Sequence, residues 1–508
     1  MKLGIEMPGS FPNMRNETDG HVQTKPPVGQ GLSFTSARTF PMYRDGLADS
    51  MRLLLLPILL AFSIAVPTAD AQKAAANAHS ACQIHPVIFD GWKAQEVQND
   101  WVRLILVPSL GGRLMQVSFN GHPYLFVNQE TVGKYISPAE AAGRWINYGG
   151  DKVWPMPEGS QDEHHWVLQS SPLDDGHYTF RVLSRSPRCT AELVGPPDPP
   201  TGLQYTRVIS IGGDSPEIFF HAVMKNFTGH PIRWAMQSVS QYNLADADNP
   251  SQYNRNFWVF APTNTASVYL NSYHVVDGLA NDPSFKVKNG LFRLHWKYLQ
   301  NEVWLDSQAG WIAVVDGMSG YAMVEKFKYF TNATYPGKAN VIFYKNGPSL
   351  QLDAKGYPRL TSDDPRTTPY YMEAEINSPL AVLQPGSTYA MDTKWFPSRA
   401  DGNLKTVTYA GTVAQPFAIS TTQSGTYATG TFGVFFAGKL LAYLYDDRGI
   451  ERNIVSLTSV DPRDKVELHQ LIVIPANIVR VSLHLVGLHG RDYGSLGEAS
   501  TQQSDQAN

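Results

Sequence analysis

The sequence predicts an all-β chain, many short strands joined by turns and ending in a small C-terminal β-sandwich. Three observations predict it. From about Trp101 onward, apolar and polar residues alternate with period two through many short runs. The 508 residues include 41 Gly and 35 Pro, the punctuation that many turns require. Aromatic residues, which suit pleated and half-buried surfaces, make up 11%.

The runs justify the reading in order. "GRLMQVSFN" sets Met115, Val117 and Phe119 on one face and Gln116, Ser118 and Asn120 on the other. "EIFFHAVMKN", "FWVFAP", "GWIAVVDG" and "KANVIFYKNG" are β-branched or aromatic runs bounded by Gly, Pro or Asn, and read as strands joined by turns. The best helix candidate is "SPAEAAGRW" at 137–145, with Ser137 as N-cap and Pro138 in the first turn. "INYGGDKVWPMPEG", 146–159, resists both regular structures. Adjacent glycines and two prolines cost helix stability, and Pro lacks a ladder donor. It reads as a bent loop offering Asp151 and Lys152 beside the Trp154 indole; the plainer alternative is a turn whose Trp plugs the core. A boundary falls near "FPSRADGNLK", 396–405. Beyond it "NIVRVSLHLVG" alternates Val479, Val481, Leu483 and Leu485 with polar residues, so 404–490 reads as a separate small sandwich. The polar end, 491–508, reads as a disordered tail.

The formal net charge is −4, which leaves no electrostatic footprint for nucleic acid or an anionic membrane surface. "MRLLLLPILLAFSIAVPTADAQ" runs from Arg52 through an apolar core at 53–66 to "ADA", the charged, apolar and small-residue order of a secretory signal. The apolar run is shorter than the roughly 20 residues of a spanning helix, and Pro57 interrupts it. Residues 1–71 therefore read as a disordered extension plus a signal peptide at 51–71. Translation would start at Met51 and the mature chain at Gln72, secreted or periplasmic and with no stable membrane anchor. The alternative keeps 1–50 as a translated extension. Cys82 and Cys189, the chain's two cysteines, both lie in the exported part. An oxidising compartment permits their pairing, but spacing does not establish that their Cα atoms approach.

Several segments, in order over 86–397, resemble the galactose mutarotase-like superfamily. "WVRLILVPSLGGRLMQVSFNGHPYLFVN" resembles its opening, two strands around a "GGR" turn. "TGLQYTRVISI" and "VMKNFTGHPIRWAMQSVSQYNLAD" resemble its middle, and "YMEAEINSPLAVLQPGSTYAMDTKWFP" its close. The opening with "NYGGDKVWP" most resembles an uncharacterised bacterial branch, a domain of unknown function. The resemblance implies an antiparallel supersandwich that binds sugars on a concave face. It also implies acid–base opening of a sugar hemiacetal, with a Glu on the strand before the "LxPG" turn as base. Glu373 and Glu375 in "YMEAEI" point to one face of that strand, with Met372, Ala374 and Ile376 on the other. A solvent-facing edge strand is the alternative for this pair.

The family's acid is a His in "H-x-Y-F-N-L"; the match here is "VSQYNL", with Val239 where that His would fall. His221, His164, His165 and His274 are the replacement candidates, and His165 with His164 follows the opening loop most closely. Asp151, Lys152, Trp154, Trp166, Arg207 and Gln241 are the candidate substrate contacts. No metal or other cofactor is expected. Adjacent Asp162, Glu163, His164 and His165 suit a single metal poorly, and an Asx turn accounts for "DADNP" at 246–250. No "GxSxG", Walker loop, "HExxH" or helix-opening "GxGxxG" occurs, so hydrolase, nucleotide and zincin readings lack their anchors. Two readings remain: an exported carbohydrate-binding protein acting on sugar anomers as an epimerase-like isomerase, or a non-catalytic carbohydrate-binding or structural module on the same scaffold.

Overall fold

A computed structural model describes residues 82–158, 165–352, 354–355 and 358–501. The expected extension and signal peptide lie outside these residues, as does His164. Among the described residues, no helix is long and apolar enough to cross a membrane.

Alternating side chains need two facing surfaces to bury one face each, and the chain answers with two large antiparallel sheets. The first has 12 strands. Its central run, in spatial order, is Arg113–Phe119, Asp151–Met156, Ile232–Asn243, Tyr371–Asn377, Val341–Lys345 and Asn301–Leu305. The second has 10 strands, with Trp311–Asp316, Tyr321–Phe327, Thr388–Arg399, Ile218–Asn226 and Leu203–Gly212 at its centre. The main core lies between them. Val117, Val153, Phe343 and Ile376 come from the first sheet; Ile209, Ile312, Met323 and Trp395 come from the second. The antiparallel supersandwich expected from the sequence is the architecture observed.

The segment at 146–159 departs from expectation, because Asp151–Met156 is a fully buried strand inside the first sheet. The ladder phase explains how Pro155 is tolerated. The amide of Gln241 donates to the carbonyl of Gly150, so Pro155 opposite Met236 falls at a non-hydrogen-bonded pair. On its other side the strand pairs with Arg113–Phe119 only at Leu114 and Asp151. The missing N–H is therefore not demanded by either neighbour. Gly149 enters this strand at φ 91°, and an added Cβ would sit 2.2 Å from the Phe126 carbonyl oxygen.

The expected helix shrinks to one turn, Pro138–Ala141. Its start is as read: the Glu140 carboxylate accepts from the Ser137 amide and hydroxyl, and Ser137 Oγ accepts from the Glu140 amide. Ala142 and Gly143, both at positive φ, end it. Residues beyond 404 form two four-stranded sheets around their own core, including Val413, Phe432, Leu440 and Leu483. The supposed tail is a correction. Asp492–Ser500 is a strand paired with Ile478–Gly487, anchored by Leu496 at 1% exposure. One apolar anchor in a small, polar edge strand gives composition little to signal. Phe260, Trp311, Phe396, Leu404 and Phe435 form a further buried cluster joining this sandwich to the second large sheet. Cys82 and Cys189 form a disulfide with Cα atoms 5.7 Å apart.

Candidate functional site

The ladder through Ile232–Asn243 decides which side chains share a face. Gln237 lies opposite Trp154; Val239 lies between Lys152 and Glu375; Gln241 lies opposite Glu373. Continuing outward, Tyr344 and then Glu302 follow Glu373, while Ile342 and then Trp304 follow Glu375. Directly opposed residues project to the same side, so all of these face away from the core between the sheets. Their aromatic and carboxyl groups, with Trp145 and Glu158, line a cleft of about 380 Å³. That volume falls within the usual range for small-ligand sites. Two larger grooves, of about 860 and 840 Å³, lack its concentration of buried carboxyls.

The two glutamates of one strand are held differently. Glu373 Oε1 accepts from Lys152 Nζ at 3.3 Å and from the Gln241 amide at 2.6 Å. Glu375 Oε2 accepts from the Gln237 amide at 2.5 Å and, among the described residues, has no cation in ion-pair contact. Burial, then the neighbouring Glu373 and Glu302 charges, holds the Glu375 carboxyl far above the usual carboxylate range. Glu158 is pushed up to about 8 by burial first and by Glu373 and Glu302 second. Burial also raises Glu302, against the hydrogen bond from the Trp304 indole. Burial lowers the Lys152 ammonium, and Glu373 opposes that shift. The cleft thus presents two carboxyls, Glu375 and Glu158, shifted toward their protonated forms beside a lysine-bound Glu373. The amide oxygens of Gln237 and Gln241 have no protein donor and remain free to accept one.

The aromatic wall is built around a buried carboxylate absent from the sequence reading. Asp174 accepts from the indole N–H groups of Trp154 (2.8 Å) and Trp145 (3.0 Å) and from Arg113 (2.7 Å). Lys152 Nζ sits 4.2 Å from the Trp154 ring centroid, completing a cation–aromatic contact.

Of the residues singled out in the sequence, the structure gathers Lys152, Trp154, Gln241, Glu373 and Glu375 on this face. Asp151 is a correction. It points to the opposite face of its strand, where its carboxylate pairs with Arg207 of the second sheet and accepts from Ser240 Oγ. Arg207 is therefore a bridge between sheets and does not reach the cleft. Trp166 is buried behind Trp154, with ring centroids 5.2 Å apart, and supports the wall without lining it. His165 does not line the cleft either, and its Nδ1 is buried without a partner. His221 pairs with Asp392, and His274 stacks on Tyr269, so no described histidine lines this cleft. The Asp246 carboxylate accepts from the Asp248 and Asn249 amides as an Asx turn. Sequence reasoning missed Glu158, Glu302, Trp145, Trp304, Tyr344 and Tyr371. For Glu302 and Trp304 the signal was present, since the alternation in "NEVWL" sets both on one face.

No family model matches this chain, and no curated protein matches it. Solved structures similar to it include a galactose mutarotase-like protein from Clostridium acetobutylicum, with 9% identity over 63% of this chain and 99% of that one, TM-score 0.40. Another galactose mutarotase-like protein, from Lactobacillus casei, shows 11% identity over 62% of this chain and 100% of that one, TM-score 0.36. A protein from Synechocystis shows 11% identity over 62% and 99%, TM-score 0.41. Likeness at this level carries no argument about activity, which is drawn below from the cleft alone.

Proposed function

We propose that the cleft binds a carbohydrate ring and performs general acid–base chemistry at its anomeric centre. The observation that carries this reading is the Glu373/Glu375 pair: two carboxyls on one cleft-facing strand, one bound to a lysine and the other bound to an amide and held by burial toward its protonated form. Such splitting of two like groups is how acid and base roles are assigned in other enzymes. Glu373 accepts the proton of the anomeric hydroxyl as the C1–O1 bond gains carbonyl character. The C1–O5 bond breaks, and Glu375 delivers its proton to O5. Reversal on the other face of the aldehyde gives the other anomer. Trp145, Trp154 and Trp304 supply apolar faces for the C–H side of the ring, and the amide oxygen of Gln237 supplies an acceptor for a hydroxyl group.

A second reading, carbohydrate binding without catalysis, draws support from the absence of a histidine among the cleft-lining residues. Calorimetric titration of an aldose panel tests the shared element. The best-bound sugar should lose about ten-fold in affinity in Glu375→Gln, because leaving a buried hydrogen-bonding group unsatisfied costs about 1–3 kcal/mol. A panel that shows no binding, or a Glu375→Gln variant with unchanged affinity, contradicts both readings. Binding without accelerated anomer exchange favours the second. We also read the chain as exported: the Cys82–Cys189 disulfide suits an oxidising compartment, in keeping with the signal-like pattern at 51–71.

A further inference from the structure

We propose that the groove between the outer face of the second sheet and the small sandwich is a separate binding site for a ring-shaped ligand bearing a carboxylate. The groove encloses about 860 Å³. Its floor is a row of side chains in register across four strands: Trp311 opposite Lys326, Lys326 opposite Lys394, and Lys394 opposite Phe219. Its walls include Tyr409 and Tyr493 from the small sandwich.

Like charges directly opposite on neighbouring strands destabilise a sheet, so this lysine pair calls for a counter-charge. Glu217 supplies one to Lys394, at 3.4 Å. Lys326 has no described carboxylate in ion-pair contact. Its Nζ donates to the Thr408 carbonyl at 2.7 Å and lies over Phe396 (4.9 Å), Phe435 (4.8 Å) and Tyr409 (5.2 Å). Burial, reinforced by the Lys394 charge, pulls its ammonium down to about 8. The other carboxylates of the groove are engaged elsewhere, Asp392 with His221 and Asp492 with His484. An anion entering here would meet a partly desolvated cation whose protein partners are neutral, and the pairing would be charge-assisted.

The aromatic component specifies more than a bare anion. Tyr409 is 84% exposed at the rim, an uncovered ring face beside the ammonium. With Trp311 on the floor, the groove offers flat apolar surface on two sides of a positive charge. A carboxylated sugar ring presents both a C–H face for the aromatic ring and a carboxylate for the ammonium, which neither a neutral sugar nor an inorganic anion does. This site lies on the far side of the second sheet from the carboxyl-rich cleft, so it stands independently of the function proposed for that cleft.

The probe is glucuronate, titrated calorimetrically at pH 7 and low salt, with glucose and inorganic phosphate as separate arms. The glucuronate binding that depends on Lys326 should be at least about ten-fold tighter than any such binding of glucose or phosphate. Lys326→Met and Tyr409→Ala should each weaken it by about ten-fold or more, and should leave any binding of glucose unchanged. Tyr409→Ala removes an exposed ring and retains the fold, which melting temperature verifies for both variants. Phosphate binding as tightly as glucuronate, glucose binding that falls equally in the groove substitutions, no glucuronate binding at all, or glucuronate binding indifferent to both groove substitutions would each overturn the proposal.

Discussion

Between the two large sheets, Asp151, Arg207, Ser240, Tyr242 and Glu325 form a polar centre inside an otherwise apolar core. Arg207 pairs with the Asp151 carboxylate and also donates to the carbonyls of Gly112 (3.2 Å) and Asp151 (3.1 Å). Removing one partner of a buried pair leaves an uncompensated charge, at a cost of about 3–5 kcal/mol. Arg207→Ala should therefore lose that much stability in chemical denaturation, while the folded fraction binds cleft ligands with wild-type affinity. Glu325 accepts from the Tyr242 hydroxyl at 2.6 Å, and burial raises its carboxyl from 4.5 to about 8, with the Asp151 charge adding to the shift. The folded state then binds a proton that the unfolded chain has released. This contribution to stability is fully present below pH 4.5 and is lost as pH rises through about 8. Burial raises Glu158 and Glu375 in the same direction, so the melting temperature should fall across this window. Glu325→Gln should flatten part of that slope; an unchanged pH profile would contradict a protonated Glu325.

At the scale of the strand, the Asp151–Met156 element decides both halves of the molecule's polarity, sending Asp151 inward and Lys152 and Trp154 to the cleft. Its entry depends on Gly149. Gly149→Ala adds a side chain at φ 91° and a clash with the Phe126 carbonyl. It should cost more than about 1 kcal/mol by left-handed strain alone, measured by thermal denaturation. Trp154→Ala should cost about 3–5 kcal/mol and also release Lys152 and Asp174 from their ring and indole contacts. The period-two rule read the Glu373/Glu375 face correctly, because alternation in "YMEAEI" is a purely local property. The same rule, applied to "DKVWP", separates Asp151 from Lys152, but the surrounding Gly and Pro suggested a loop in which both could turn to one ligand. What reinstates the strand is the ladder phase and the diverging neighbour, neither of which local sequence contains. Trp145, Glu158 and Asp174 reach the cleft region from turns and strand ends, and only tertiary packing brings them there.

For the whole molecule, the disulfide and the shared apolar cluster are two of the long-range ties. Cys82 precedes the edge strand Gln83–Phe89 of the first sheet, and Cys189 lies on Arg188–Val194 near an edge of the second. The bond thus clamps one open side of the sandwich, and Cys189→Ser should lower stability by about 2–5 kcal/mol. At the other tie, Ala400 and Leu404 are buried in the cluster that joins the small sandwich to the second sheet. Limited proteolysis should therefore spare 398–405, and a cut there releasing two stable fragments would contradict a shared core. We propose that the inward Asp151 carboxylate supports the fold, while the outward Glu373/Glu375 pair does chemistry on a sugar. Two-dimensional exchange NMR of anomer interconversion, run on the aldose that binds most tightly, tests it directly. Wild-type protein should accelerate exchange, Glu373→Gln and Glu375→Gln should each reduce the acceleration by about 10²-fold or more, and melting temperatures should confirm that both variants fold. Acceleration that survives in both variants, or its absence in the wild type for every sugar that binds, would contradict the account.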